Sequence, residues 1–171
     1  MKFSEKWLRT WIDPNIGTDE LCDQLTSAGL EADAVEPVAD EFTGVVIGEI
    51  LELHAHPNAD RLSVCTVFDG SEKFSVVCGA PNARVGLKTA FARVGSELSD
   101  GLEIQRTKLR GVQSYGMLCS AKELGISDDH DGIMELSNTL SPGLELREAL
   151  NLEEVSIDLD LTPNRGDCFS V

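Results

Sequence analysis

The sequence is short of cations, aromatic residues, paired cysteines and long apolar runs. Its 171 residues include 14 lysines and arginines against 30 aspartates and glutamates, which gives a formal net charge of −16. A chain this acidic repels nucleic acid and anionic membranes, so any polyanion that it binds must meet a locally basic surface. No run of about 18 apolar residues is present, which excludes a predicted membrane-spanning helix. The amino terminus lacks the apolar core of a secretion signal, so we expect a cytoplasmic location and no membrane partner.

The cysteines and the short catalytic motifs also point away from several classes of protein. Five cysteines occur without any Cys-x-x-Cys pair, a pattern typical of free thiols rather than of disulfides or a zinc site. The sequence contains no phosphate-binding loop, no dinucleotide-binding glycine motif and no metalloprotease motif. Composition and motifs therefore favour a globular protein without resident chemistry.

Two short patterns could carry chemistry, and each has a simpler interpretation. Ser114 resembles the serine of a nucleophile elbow, but Val112 stands where that elbow requires glycine. His54 and His56 could bind a metal from one face of a strand, yet Pro57 interrupts the strand and no third ligand follows at a suitable spacing. We therefore expect a turn histidine here, and we predict no catalytic residue and no metal ligand.

The first 30 residues have the spacing of two helices. One is expected to begin after Ser4, and the other to run from Thr18 to Gly29. The apolar faces of both helices, with Trp7 and Trp11 on the first, are expected to lie in a core.

From about residue 43 the apolar residues recur with the period of strands. Short strands separated by turn formers favour a small barrel of the oligonucleotide-binding (OB) type, with a two-sheet sandwich as the alternative. The sequence also predicts short helices over 117–124 and 144–150 and a strand over 155–161. The five strands predicted for the barrel are 43–53, 62–68, 73–78, 88–94 and 102–109.

Cations are concentrated between residues 84 and 110, where six stand against three acidic residues. If the fifth strand stays extended through Arg110, then Arg106, Lys108 and Arg110 lie on one face at intervals of about 6.6 Å. Such a row at a barrel rim suits the backbone of a nucleic acid, although a solvated charged face is an equally common meaning of this pattern. The six cations are Arg84, Lys88, Arg93, Arg106, Lys108 and Arg110.

Three segments, in order along the chain, carry a resemblance to a known family. They are His-Pro-Asn-Ala-Asp-Arg-Leu at 56–62, Val-Cys-Gly-Ala-Pro-Asn at 77–82 and Gly-Val-Gln-Ser-Tyr-Gly-Met-Leu-Cys-Ser at 111–120. Together these signature segments resemble the tRNA-binding OB-fold domain of several aminoacyl-tRNA synthetases and of free-standing tRNA-binding proteins. The two tryptophans of the first helix and the segment 161–168 further resemble the bacterial phenylalanyl-tRNA synthetase β-subunit family. The resemblance covers essentially the whole chain.

This resemblance implies an architecture and a parent enzyme. It implies an α+β chain, mostly β, in which a five-stranded OB barrel, residues 40–148, is inserted into a small α+β domain made of residues 1–39 and 149–171. It also implies a ligase of two α and two β subunits that charges tRNA-Phe with phenylalanine, using ATP and magnesium. Catalysis would lie in the α subunit, so this chain, expected to be an amino-terminal fragment, would bind no cofactor itself.

The predicted nucleic-acid contacts combine charge with resemblance. The resemblance assigns tRNA contact to Ser114 and Met117, and the local excess of positive charge adds the six cations of residues 84–110. Because residues 40–148 hold ten cations against seventeen acidic residues, we expect weak binding of tRNA and no binding of DNA. Two other functions stay open, a structural or protein-interaction module and a free-standing tRNA-binding protein.

Overall fold

The computed structural model describes residues 1–168, which belong to two compact units. Unit 1 consists of Met1–Val38 and the chain from Leu152 onward, and unit 2 consists of Ala39–Asn151. The elements, in chain order within each type, are α1 (Glu5–Arg9), α2 (Thr18–Ser27) and α3 (Leu146–Ala149), and β1 (Lys2–Ser4), β2 (Glu31–Pro37), β3 (Thr43–Ala55), β4 (Ser63–Phe68), β5 (Lys73–Cys78), β6 (Lys88–Glu97), β7 (Thr107–Leu109), β8 (Val112–Ser114), β9 (Met117–Cys119) and β10 (Val155–Asp160).

Unit 1 contains helices α1 and α2 and a three-stranded antiparallel sheet of order β1-β10-β2. Ile157 of the central strand is fully buried, and it pairs with Phe3 on one side and Val35 on the other. The predicted cap of α1 is confirmed, since the Ser4 hydroxyl oxygen accepts a hydrogen bond of 2.9 Å from the backbone N–H of Trp7. The predicted second helix and the strand predicted over 155–161 are confirmed as α2 and β10.

The two tryptophans of unit 1 lie outside its core. Trp7 is 44% exposed and Trp11 is 77% exposed, so the prediction that both lie in a core is wrong. Helix α1 ends at Arg9, and Trp11 therefore leaves the helical face that the spacing assumed. The two indole rings contact each other edge to face, with their centroids 6.3 Å apart.

Unit 2 is built on a curled five-stranded antiparallel sheet of order β5-β4-β3-β6-β9. Its long central strand β3 pairs with both β4 and β6, and its register shifts between Ile50 and Glu52 and again between Thr43 and Val45. Such irregularities bend and twist a strand, which helps the sheet to curl around a core. The prediction of a mostly β fold with a five-stranded OB-type sheet is confirmed. The fully buried core includes Val46, Ile50, Cys65, Val67, Val76 and Phe91.

The fifth strand of this sheet is not the predicted one. Of the strand predicted over 102–109, only Thr107–Leu109 forms a strand, and this β7 pairs with β8 in a separate hairpin, while Glu103 makes an isolated antiparallel bridge to Glu97 of β6. The fifth position belongs to β9, in a segment predicted as the helix 117–124, so that helix prediction is wrong, and the strand predicted over 102–109 is confirmed only for its last three residues. Leu118 of β9 pairs with the fully buried Phe91 of β6, and this partner decides the conformation of a segment too short to show its own period.

The described residues offer no membrane span and no disulfide. Among residues 1–168, none of the helices is both long and apolar enough to traverse a bilayer. All five cysteines are free thiols.

Candidate nucleic-acid interface

Two of the signature segments meet at an open cavity of about 1050 Å³ in unit 2. Gly79 and Pro81 follow β5 and line one part of the wall. Ser114, Gly116 and Met117, at the step from β8 to β9, line another part. Lining residues that lie more than 30 positions apart in the sequence, such as Pro81 and Ser114, are therefore brought together at one concave surface.

Beside this cavity, β7 and β8 form a hairpin with a two-residue turn, Arg110-Gly111. Leu109 pairs with Val112, and φ is 45° at Arg110 and 98° at Gly111. Positive φ at both central residues is the geometry of a type I′ turn, whose twist matches that of paired strands. The chain is therefore not extended through Arg110, and the prediction of one straight row of Arg106, Lys108 and Arg110 is wrong. Instead, Arg110 lies at the exposed hairpin tip and Lys108 lies on β7.

The first signature segment, residues 56–62, holds this hairpin tip, and we call it the clasp segment. The buried His56 ring lies with Nε2 3.1 Å from the carbonyl oxygen of Leu109, and its Nδ1 accepts a hydrogen bond from the backbone N–H of Asn58. Because Nδ1 accepts, a neutral ring carries its hydrogen on Nε2, and this N–H donates a hydrogen bond to the carbonyl oxygen of Leu109. The Asn58 side-chain amide donates to the carbonyl oxygen of Arg110 at 3.1 Å. His56 and Asn58 thus stabilise the Arg110-Gly111 turn, in which Arg110 has the positive φ that residues other than glycine disfavour.

Three of the six predicted cations are engaged with other parts of the fold. Arg84 forms a bidentate ion pair with Glu135, with hydrogen bonds of 2.7 and 2.8 Å. These hydrogen bonds are the main cause that lowers the pKa of Glu135 to about 2. Lys88 donates to two backbone carbonyl groups of a later loop. Arg93 pairs with the buried Asp69 at 2.6 Å. These contacts join loops to the sheet, and the charged group of each of the three side chains has a partner within the fold.

The other three predicted cations belong to the hairpin. The Arg106 guanidinium donates to the side chains of Gln113 and Tyr115, at 2.6 and 2.8 Å, and lies 4.6 Å from the centre of the Tyr115 ring. Arg106, which precedes β7, therefore contacts β8 through Gln113 and the residue after β8 through Tyr115, and it stabilises the hairpin. The side chains of Lys108 and Arg110 have no hydrogen-bond or ion-pair partner within residues 1–168.

The two residues assigned by resemblance differ in their access to a ligand. Ser114 is 3% exposed, and its hydroxyl oxygen accepts from the backbone N–H of Val77 and donates to the carbonyl oxygen of Gly116, both at 3.0 Å. Its hydroxyl therefore ties β8 to β5 and is fully used within the fold. Met117 is partly exposed and lines the cavity.

Replacing Ser114 with alanine is expected to lower the free energy of unfolding of unit 2 by about 1–2 kcal/mol, because the buried N–H of Val77 loses its acceptor. Urea unfolding measures this loss. The matched control is Ser127→Ala, which removes an exposed hydroxyl that accepts a single bond of 3.3 Å from Asp129. Equal losses in the two variants would contradict a structural role for Ser114.

Metal ligands form no cluster in the part of the chain that the structure describes. No group of three or more His, Cys, Asp or Glu side chains among residues 1–168 is arranged to hold a metal ion. The hairpin offers a ligand the cations Lys108 and Arg110, and the cavity beside it offers a mixed surface that includes Met117 and the acidic side chains of Glu103 and Glu123.

Comparison with known proteins identifies the family of the chain. Residues 45–145 match the family model described as "Putative tRNA binding domain". The match spans more than half of the chain, and the chain therefore belongs to this tRNA-binding domain family. Over its full length it is also similar to proteins named phenylalanine--tRNA ligase beta subunit, at 54% identity in Pseudomonas putida and 52% in Hahella chejuensis.

These relatives are much longer than the present chain. The chain is covered completely by each match but spans only 22% of the length of either relative. The solved crystal structure of the C-terminal domain of Plasmodium vivax p43 is similar over 43% of this chain and 42% of its own, at 20% identity and a TM-score of 0.35. A likeness at that level carries no argument about the function of the present chain.

Proposed function

We propose that this chain is the tRNA-binding part of a phenylalanine-tRNA ligase β subunit and that it contacts tRNA through the hairpin of β7 and β8. The observation that carries the proposal is the state of Lys108 and Arg110, two cations without a partner in residues 1–168 on a tip that His56 and Asn58 hold in place. Phosphate contacts supply most non-specific affinity for nucleic acids. A surface ordered in advance loses less conformational entropy when it binds.

The remaining predicted contacts take supporting roles in this proposal. Met117 adds apolar surface at the cavity beside the hairpin. Arg106 keeps the hairpin braced, and Ser114 keeps β8 tied to β5. Arg84, Lys88 and Arg93 stabilise the scaffold through the partners described above.

The proposal extends to the longer protein that the relatives represent. In it, residues 40–148 form an RNA-binding module inserted between residues 1–39 and 149–171 of a host domain. The whole enzyme would charge tRNA-Phe with phenylalanine in the cytoplasm, using ATP and magnesium, in an assembly with a catalytic α subunit. The present chain would contribute contacts to tRNA and none of the reacting groups.

The test is the salt dependence of tRNA binding by the chain and by its Lys108→Ala/Arg110→Ala variant. Each phosphate contact contributes about −0.7 on a single strand and about −0.9 on a DNA duplex to the slope of log K against log salt. The double variant is therefore expected to bind more weakly and to show a slope smaller by about 2. Fluorescence anisotropy with labelled tRNA between about 50 and 200 mM salt measures both quantities.

A control with the same change in charge is Lys73→Ala/Arg84→Ala. Lys73 is exposed, and Arg84 is paired with Glu135, so this variant is expected to keep the slope of the unmodified chain. An equal reduction in both variants would contradict the hairpin as the contact surface. If the affinity for tRNA does not change with salt concentration in any of these proteins, the structural or protein-interaction role is favoured instead. The net charge of −16 is consistent with that role.

A further inference from the structure

The clasp segment carries a cation that neither the charge cluster nor the resemblance assigns to RNA binding. The Arg61 side chain is exposed and has no hydrogen-bond or ion-pair partner within residues 1–168. Most cations of the chain are committed to carboxylates, carbonyl groups or rings. In the described part of the chain, the cations that share the free state of Arg61 are Lys73, Lys108, Arg110 and Lys122.

The clasp segment places the backbone of Arg61 close to Asn58, the residue that holds the hairpin tip. Arg61 is three residues from Asn58, whose side chain donates to the carbonyl oxygen of Arg110 at 3.1 Å. Consecutive Cα atoms are 3.8 Å apart, so the Cα atoms of Arg61 and Asn58 lie within about 11 Å. The segment is folded back on itself, because the backbone N–H of Leu62 donates to the carbonyl oxygen of Ala59 at 3.2 Å, which shortens this separation further.

The same residue also adjoins the cavity. The carbonyl oxygen of Arg61 lies 3.9 Å from the position that a Cβ atom on Gly79 would occupy, and Gly79 lines the cavity wall. The backbone of Arg61 therefore lies between Asn58, which holds the hairpin tip, and Gly79, which lines the cavity. The nearest acidic residue in the sequence is the exposed Asp60, which forms no ion pair with Arg61.

We propose that Arg61 is a third phosphate-binding cation of this interface, together with Lys108 and Arg110. The inference rests on the proposed function, since it assigns a contact within the same tRNA-binding surface. A guanidinium group can donate two parallel hydrogen bonds to one phosphate, which suits an arginine that is otherwise unpaired. The partner is the phosphodiester backbone of the RNA, so the contact adds affinity and carries no base preference.

The experiment compares tRNA binding by Arg61→Ala, Arg61→Lys and Lys73→Ala across the same range of salt. Lys73 is the matched control, because it is also exposed and has no partner within residues 1–168. It differs from Arg61 in position, since it begins β5 and the cavity is lined by the other end of that strand, five residues away. Arg61→Ala is expected to lower the slope by about 1 and the affinity roughly fivefold to tenfold at 0.1 M salt. Arg61→Lys is expected to retain the slope, because it retains the charge.

Two readouts separate this inference from a structural effect and from the proposed function. The backbone amide resonances of Arg110 and Gly111 are expected to stay unchanged in Arg61→Ala, whereas a structural role for Arg61 in the clasp would move them and overturn the inference. If the unmodified chain binds tRNA in a salt-dependent way but Arg61→Ala and Lys73→Ala have the same affinity and the same slope, only the inference about Arg61 is overturned. An unmodified chain without salt-dependent tRNA binding would overturn the proposed function with it.

Discussion

Replacing Gly116 with alanine is expected to lower the free energy of unfolding of unit 2 by about 3 kcal/mol. Gly116 connects β8 to β9 with φ of 142°, a conformation that side chains disfavour. A Cβ atom there would lie 2.5 Å from Cε2 of Phe91 and 2.6 Å from the carbonyl oxygen of Ala92. Phe91 is fully buried and Ala92 pairs with β9, so neither atom can move away without disturbing the core. Urea unfolding of the two proteins measures the difference.

The glycine that isolates backbone strain from this packing effect is Gly101. It also has positive φ, 79°, but a Cβ atom there would meet nothing within 4 Å. Gly101→Ala is therefore expected to cost only about 1 kcal/mol. If both variants lose the same stability, the close approach of Gly116 to Phe91 has no energetic role.

Replacing Asp69 with alanine is expected to cost unit 2 about 3 kcal/mol. The carboxylate is 3% exposed, pairs with Arg93, and accepts hydrogen bonds of 2.8 to 3.0 Å from the backbone N–H groups of Ser71 and Glu72 and from the Ser71 hydroxyl. Its loss leaves the turn that follows β4 without its acceptor and leaves Arg93 only the weaker bond of 3.4 Å to the backbone carbonyl oxygen of residue 69. Because Arg93 is 37% exposed and can reach water, we place the cost at the lower end of the range for a buried ion pair. Chemical unfolding at neutral pH measures it.

The same carboxylate is expected to make stability depend on acid pH. Burial by itself raises the pKa of Asp69, but the hydrogen bonds from Glu72, Ser71 and Arg93 outweigh burial and lower the pKa from 3.8 to about 2. A carboxyl group with a lower pKa in the folded state stabilises the fold above its unfolded pKa, and this contribution is lost as the pH falls from about 4 to about 2. The loss corresponds to about 2 kcal/mol.

The variant Asp69→Asn separates the charge from the turn. Asparagine keeps an oxygen that can accept from the two N–H groups of the turn, but it does not titrate. Its unfolding free energy is expected to fall about 2 kcal/mol less than that of the unmodified chain between pH 4 and pH 2. Parallel pH profiles for the two proteins would show that other carboxylates cause the acid sensitivity.

The longer elements of this fold could be predicted because each carries its own pattern. Strands β3 to β6 have runs of apolar residues bounded by turn formers, and α2 has a start at Thr18 and a stop near Gly29. Short elements such as β1, β8 and β9 could not be predicted, since three residues show no period and depend on their partner strands, and β7 was predicted only as the end of a longer strand. The exposure of Trp11 was missed because helix α1 ends one turn earlier than its apolar spacing suggests.

The candidate site could be predicted in part. The resemblance located the three signature segments, and composition located the cluster of cations. The state of each cation could not be read from this pattern, because the partner that engages Arg93 lies 24 residues away and the one that engages Arg84 lies 51 residues away. The function of the clasp segment was missed for the same reason, since its partners Leu109 and Arg110 are more than 50 residues distant.

The sequence by itself determined that this chain is mostly β, that it resembles tRNA-binding domains, and that its scarce cations cluster between residues 84 and 110. These properties follow from local pattern and composition, which need no knowledge of contacts. Only the tertiary structure decided that Arg84, Lys88 and Arg93 contact the scaffold while Lys108 and Arg110, on the hairpin of β7 and β8, have no partner among residues 1–168. The physical reason is that the availability of a charge depends on its neighbours in space, and folding chooses those neighbours from distant parts of the chain.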